Sequence, residues 1–456
     1  MTKDNDRVAK FMKNPKKSLL KLSFPVIISM MVQTMYNIID TAFIGRLGAN
    51  SIAALTFAFP IFFILISLNS GISVGLNAQI SKLLGENKKE KAENAAIHGL
   101  IISIIVGLIA LIVGIPFLKN IFQLFGATDS VTELGTSYMT IIFIGIVFLF
   151  LLYMVTSIFA SQGDTKTAMK IQISALILNI ILDPIFIYVL DLKIKGAAIA
   201  SILSFSIGLL ISLIYLKKKS YLKIQKSSFK YSTKLIKKIL TVGIPATLMM
   251  ISMSVFVIFI NYLASKFGTE YVAAFGIVYR LESIAIMPVV ALGITLITLV
   301  AMFYGAKKYE LVKEISIYGI QLAIGFTITI GLLFFIFPLI FIKIFTNDPV
   351  LMEIAKSYIK IYVFSLPLTA IGMLSSRIMQ GFGLGLPGLI VSLMRNIILP
   401  IPIAFIFILI LDYNFLSIAV AIIISSFVAA ILGTILLSKS FNKKFEKTKK
   451  NVVTNI

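Results

Sequence analysis

The sequence has no cysteine and a single histidine, His98, in 456 residues. Disulfides, thiolate nucleophiles, iron–sulfur clusters and Cys/His zinc sites are thereby excluded, and little is left for imidazole chemistry. Charge is also scarce, at 13% of residues, and acids are the scarcer sign, with 19 Asp and Glu against 42 Lys and Arg. Soluble chains carry about 25% charged residues. What fills the gap is apolar: 59% of the chain, with a mean hydropathy of +1.01. The chain reads as a membrane protein. Its first 18 residues are basic and polar, and the apolar stretch from Leu19 is too long for a signal-peptide core, so an uncleaved first span is expected.

A spanning helix needs about 20 mostly apolar residues. Twelve such stretches are predicted, at 19–44, 52–80, 95–117, 136–160, 168–190, 196–216, 238–265, 272–304, 315–342, 357–380, 388–411 and 415–437. Basic residues mark the cytoplasmic side. Of the 42, 31 fall in one alternating set of segments (3–21, 82–91, 166–170, 217–238, 307–313 and 439–450) and eight in the opposite set. A multi-pass protein of the cell membrane with both termini cytoplasmic is expected. The excess of positive charge is then a topology signal and an attraction to anionic lipid, not a nucleic-acid footprint.

The chain also repeats itself. A shift of 220 pairs Pro25 with Pro245, Gly48 with Gly268, Ala53 and Ala54 with Ala273 and Ala274, Gly85 with Gly305 and Gly99 with Gly319. A slightly shorter shift pairs Gln162-Gly163 with Gln380-Gly381 and Asn179-Ile180-Ile181-Leu182 with Asn396-Ile397-Ile398-Leu399. The expected fold is an all-α integral membrane protein of twelve transmembrane helices in two six-helix pseudo-symmetric lobes. Residues 1–216 form the N-terminal lobe, 217–238 a cytoplasmic linker and 239–456 the C-terminal lobe. Because the shift covers an even number of spans, the repeats share one orientation.

Three acids fall inside predicted spans: Asp40, Asp183 and Glu282. Each costs at least ~2.5–3.5 kcal/mol at a helix centre and so asks for a partner or a purpose. Gln33, Tyr36 and Asn37 precede Asp40 at helical spacing and give its helix a polar stripe that points into a bundle or cavity. Pro25 opens the same helix about 22 Å earlier and permits bending. Asn179 and Asp183 are i, i+4, and Pro184 frees a backbone carbonyl beside them. A carboxylate, an amide and a carbonyl on one face suit a proton or Na⁺; packing hydrogen bonds are the bland alternative. The repeat partners of Asp40 and Asp183 are Ile260 and Pro400, so the acids belong to the first half alone. Glu282 is expected to pair with Arg395 or Arg377, and His98 to be an interfacial bystander. No phosphate-binding loop and no soluble ATPase-sized segment is present, so energy must come from an H⁺ or Na⁺ gradient or a partner, without a cofactor.

The run from Met35 to Gly48 around Asp40, the Pro25 ahead of it, the Ser161-Gln162-Gly163-Asp164 loop, the Asn179–Pro184 segment and Gly196-Ala197-Ala198 together resemble the multidrug and toxic compound extrusion (MATE) family. The likeness covers nearly the whole chain and is strongest to the DinF-like branch, which keeps its coupling acids in the N-terminal lobe. The resemblance implies a V-shaped pair of lobes rocking between outward- and inward-open states, exporting organic cations and other amphipathic drugs against H⁺ or Na⁺. It implies an ion site at Asp40, Asn179 and Asp183, with Tyr138 and Ser201 as polar neighbours and Pro25 as the bending proline. A threonine is expected where Ser201 stands, and no second-lobe acid pair is present. A drug-contacting role for Glu282 is the second reading of that residue. A flippase for lipid-linked precursors of the same superfamily is the alternative function, and no enzyme is expected. The expected partners are amphipathic small molecules and membrane lipid, with the protein a monomer.

Overall fold

The computed structural model describes residues 6–453, and among them every regular element is helical. After a short helix at Asp6–Lys13 come α1 (Pro15–Gly45), α2 (Ala49–Gly85), α3 (Lys89–Leu124), α4 (Asp129–Ser161), α5 (Thr165–Pro184) and α6 (Lys193–Lys219). The second half holds α7 (Thr233–Ser265), α8 (Thr269–Gly305), α9 (Tyr309–Ile336), α10 (Pro349–Tyr362 and Ser365–Gly381), α11 (Gly385–Leu393, continued to Ile410) and α12 (Ser417–Val453). Eleven of these are long and apolar enough to cross a membrane, and α10, bent by 53° at its break, makes a twelfth when its two segments are counted as one span. The span expected at 315–342 stops at Ile336, because Pro338 cannot continue the hydrogen-bond ladder and instead opens the separate turn Pro338–Ile342. Apolar residues face outward, as a lipid solvent allows: on α3, Ile105, Ile109, Ile112 and Phe117 are exposed at helical spacing.

The repeat seen in the sequence is built into the backbone turns. Left-handed backbone occurs at Gly48 and Gly268, Asn87 and Lys307, and Gly163 and Gly383, each pair 220 apart. The φ angles of 107° at Gly48 and 130° at Gly268 are open to glycine and strained for other residues. Wide π-helical turns also recur, at Ile185–Val189 after α5 and at Ile406–Ile410 in α11.

Two compact units emerge. One is Phe24–Thr247; the other joins the residues through Ser23 to those from Leu248 onward. The division thus falls within three residues of the matched prolines Pro25 and Pro245. In the first unit α4 is central, burying Ile146, Phe150, Val155, Ile158 and Phe159 against α2, α3 and α6. The start of α7 joins it through glycine contacts between α2 and α7. In the second unit α8 buries Leu296, Leu299, Val300, Met302 and Phe303. The start of α1 joins that unit through Leu19, packed near Gly319, and an ion pair from Lys16 to Glu314 at 3.4 Å.

The Lys-rich segment 217–238 is stitched to the first unit. Gln162 holds Ser220 at 3.0 Å and accepts from the Tyr221 N–H at 2.9 Å. Glu93 accepts from the Lys223 N–H at 2.9 Å, and Asn94 pairs both ways with the Lys230 backbone. His98, expected to be a bystander, is 2% exposed. Its Nε2 accepts from the Ser232 N–H at 3.1 Å, which leaves the proton on Nδ1 to donate to the Asn94 carbonyl. Asn94→Ala removes two of these bonds, at about 1 kcal/mol each. In the detergent-solubilised protein, trypsin is expected to cut within 217–238 roughly thirty times faster than in wild type; an unchanged cleavage rate would remove the latch role.

Candidate functional site

Four helices of the first unit converge on one buried polar cluster. α1 supplies Tyr36 and Asp40, α4 Tyr138, α5 Asn179 and Asp183, and α6 Ser201, and all six are buried. Asp183 and Asn179 are fully so, at 0% exposure. The i, i+4 spacing on α5 sets the first link: Asn179 Nδ2 donates to Asp183 Oδ1 at 3.0 Å. The same amide reaches Ser201 Oγ at 3.3 Å, and the Tyr36 hydroxyl is a further neighbour of Ser201. The carboxyl groups of Asp40 and Asp183 lie within hydrogen-bonding reach of each other.

The satisfied bonds matter less than the missing ones. Asp40 Oδ1, Asn179 Oδ1 and Asp183 Oδ2 are buried and have no hydrogen-bond partner. Three acceptor oxygens in one place are costly unless a proton or cation joins them. Two carboxyls and an amide oxygen are hard oxygen donors, the type that holds a proton or a hard cation.

The polar stripe on α1 divides. Tyr36 and Asp40 form its buried flank, whereas Gln33 and Asn37 bond each other at 3.4 Å on the less buried flank, where Gln172 reaches Gln33 at 3.5 Å. All four lie within a sector of about 100°, and the fold buries Tyr36 and Asp40 while leaving Gln33 and Asn37 more exposed. α1 runs unbroken through Pro25, whose carbonyl accepts from Ser29 Oγ at 3.0 Å. One further contact had no signal in the sequence: the Tyr188 hydroxyl, on the π turn after α5, donates to the Phe43 carbonyl at 2.6 Å and so ties α5 to the end of α1. A widened turn of this kind often marks a functional site.

Glu282 lies outside this cluster, on α8 of the second unit. Its polar neighbours are the Tyr362 hydroxyl and the Arg395 guanidinium. Among the described residues it forms no ion pair within 4.0 Å.

The chain is similar to known transporters along most of its length. It is 28% identical over 388 residues to the multidrug export protein MepA of Staphylococcus aureus (strain NCTC 8325 / PS 47), covering 84% of this chain and 86% of MepA. To MepA of Staphylococcus haemolyticus (strain JCSC1435) it is 26% identical over the same shares. Among solved structures, a MATE in the bent conformation superposes with a TM-score of 0.93 at 30% identity, covering 98% of this chain and 100% of that one. A MOP superfamily transporter from Pyrococcus furiosus gives 0.91 at 30% identity, covering 97% and 99%. The MatE family model matches twice, at residues 25–185 and 245–406, and each match opens on one of the paired prolines. With two copies of the family's repeat covering most of its length, the protein belongs to the MatE family of membrane transporters and is not an enzyme.

Proposed function

We propose that the protein is a cation-coupled antiporter, exporting organic cations and other amphipathic molecules by alternating access while H⁺ or Na⁺ enters. The observation that carries this reading is the buried pair Asp40–Asp183 with its three unpartnered oxygens. A proton shared between the carboxyls, or a Na⁺ held by both with the Asn179 oxygen, would satisfy those oxygens. Loss of the ion leaves two like charges face to face. Asp40 sits on α1 and Asp183 on α5, so occupancy sets the angle between these helices, and Pro25 is where α1 has a missing backbone bond about which to bend. Asn179 and Ser201 orient the carboxyls, Tyr36 and Tyr138 wall them off, and Gln33 and Asn37 offer polar contacts to cargo along α1. On this reading the protein couples its transport through first-lobe acids, as the DinF-like branch does. Support comes from the similarity to MepA, a multidrug export protein, and from solved MATE chains in both bent and straight conformations. The excess of Lys and Arg in one alternating set of loops supports a cytoplasmic position for both termini.

Ion and drug then compete through linkage, each weakening the other by the same factor. The test is efflux of a fluorescent organic cation from cells, with the pH and Na⁺ gradients collapsed one at a time. Collapse of one gradient is expected to stop export and thereby name the ion. Export that persists with both collapsed, or is absent under every gradient, would overturn the antiport reading.

A further inference from the structure

The wide turn that follows α5 recurs in the second unit almost residue for residue. Ile185-Phe186-Ile187-Tyr188-Val189 matches Ile406-Phe407-Ile408-Leu409-Ile410, and each turn is closed by the same backbone bond, Leu190 to Ile185 at 2.9 Å and Leu411 to Ile406 at 3.0 Å. Asp191 and Asp412 then take the same left-handed backbone, with φ of 49° and 56°. The fourth residue of the turn differs in kind: Tyr188 carries a hydroxyl where Leu409 has none. That hydroxyl belongs to the half that also holds Asp40 and Asp183.

The width of the turn decides where the hydroxyl points. Along an α-helix, five residues turn the chain about 500° and would carry Tyr188 about 140° round from Asp183. A π turn bonds i to i+5 and so takes up nearly one more residue, which brings Tyr188 back to the side of Asp183 and towards α1. There its hydroxyl donates to the Phe43 carbonyl at 2.6 Å, and its ring meets that of Phe43 edge-on at 6.3 Å. The turn is braced from behind by α6: a Cβ on Gly196 would run into the Phe186 carbonyl and lie 2.9 Å from the Ile187 nitrogen, and Ile187 is fully buried. α1 is held less firmly. Met31, Met35 and Ile38 leave one of its flanks exposed, and the Gln172–Gln33 contact is long, at 3.5 Å. Phe43 lies three residues beyond Asp40, so the tyrosine grips α1 beside the coupling carboxylate. Tyr188 is itself 37% exposed. Water can take the place of its bond when the contact opens, so release costs little.

We propose that Tyr188 is a positioning residue for ion coupling: its hydroxyl clasps the end of α1 to the turn after α5 and so keeps Asp40 opposite Asp183, in the arrangement that takes the ion. The inference deepens the antiport reading and rests on it. Without the clasp, the ion must itself order the end of α1, and its apparent affinity falls by the fraction of the time that α1 is in place.

The test is transport of ethidium, a fluorescent organic cation, by the purified full-length protein in liposomes, with the rate measured against the concentration of H⁺ or Na⁺, whichever drives it. Tyr188→Phe keeps the ring and loses only the hydroxyl. Its half-saturating ion concentration is expected to rise about fivefold, the effect of one ordinary hydrogen bond, while the maximal rate at saturating ion and the unfolding temperature stay at wild-type values. Tyr188→Leu places there the residue that the second unit carries in the same turn, so the fold accommodates it, and the same shift is expected. Leu409→Ala, at the matching position of the half without the acids, is expected to leave the half-saturation unchanged. Unchanged half-saturation in both Tyr188 variants overturns the proposal. A lower maximal rate at unchanged half-saturation also overturns it, since a tie that only supports the fold would act that way, and so does an equal shift in Leu409→Ala. Failure of the antiport reading is distinguishable: wild type itself would then show no dependence on either ion, and the proposal falls with it.

Discussion

Asp183→Asn is expected to abolish gradient-driven export while leaving the protein folded. The substitution is nearly isosteric, and its amide oxygen can still accept from Asn179 Nδ2, the contact now made at 3.0 Å. What it removes is the ionisable oxygen pair facing Asp40. A hydrogen bond to a charged group contributes ~1.5–3 kcal/mol, so the exporter loses roughly ten- to a hundredfold in affinity for its coupling ion, and with it the drive for transport. The measurements are the efflux rate of a fluorescent organic cation under each gradient and the unfolding temperature of the purified variant. A wild-type rate with wild-type pH and Na⁺ dependence would show that Asp183 only locks helix packing. Asp40→Asn should cause a similar loss. The double variant should be little worse than either single one, since two members of one site lose their function together and their effects do not add.

The second large effect is expected where α2 meets α7. A Cβ on Gly75 would lie 2.1 Å from the Ile239 carbonyl oxygen, and one on Gly71 would lie 2.0 Å from Thr247 Oγ1 and 2.6 Å from the Gly243 carbonyl oxygen. The obstacles are mainly backbone, which cannot turn aside as a side chain can. Small residues let membrane helices approach this closely, and dispersion contacts are the return. Gly75→Ala forces the two helices apart and is expected to cost about 1–3 kcal/mol. Gly325→Ala is the control: nothing lies within 4 Å of its Cβ, and alanine is the better helix former. Thermal unfolding of both variants in the same detergent should show a clear loss for Gly75→Ala and none for Gly325→Ala. Equal unfolding temperatures would mean that α2 and α7 do not depend on this close approach.

The chain by itself determined what depends on local spacing and on solvent. Twenty-residue apolar stretches have one stable form in lipid, so the helices and their approximate ends were legible from composition, and the register of 220 was legible because the same turns need the same glycines. Asn179 and Asp183 could be placed on one face because i, i+4 on a helix is set by the backbone alone. The tertiary structure decided what depends on partners distant in sequence. It chose which flank of the α1 stripe is buried, placing Tyr36 and Asp40 inward and leaving Gln33 and Asn37 outside. It brought Ser201 to Asn179 across 22 residues, a contact that only family resemblance had suggested. His98 became a buried acceptor for Ser232, 134 residues away, although its neighbours in sequence describe only a basic membrane edge. It also divided the compact units beside Pro25 and Pro245 rather than at the Lys-rich segment. That segment is polar enough to be a loose linker, but Gln162, Glu93, Asn94 and His98 supply its backbone with the partners that composition does not reveal. Hydropathy reports the solvent a residue prefers; which neighbour a buried polar group finds is set by packing, and only the folded chain contains that information.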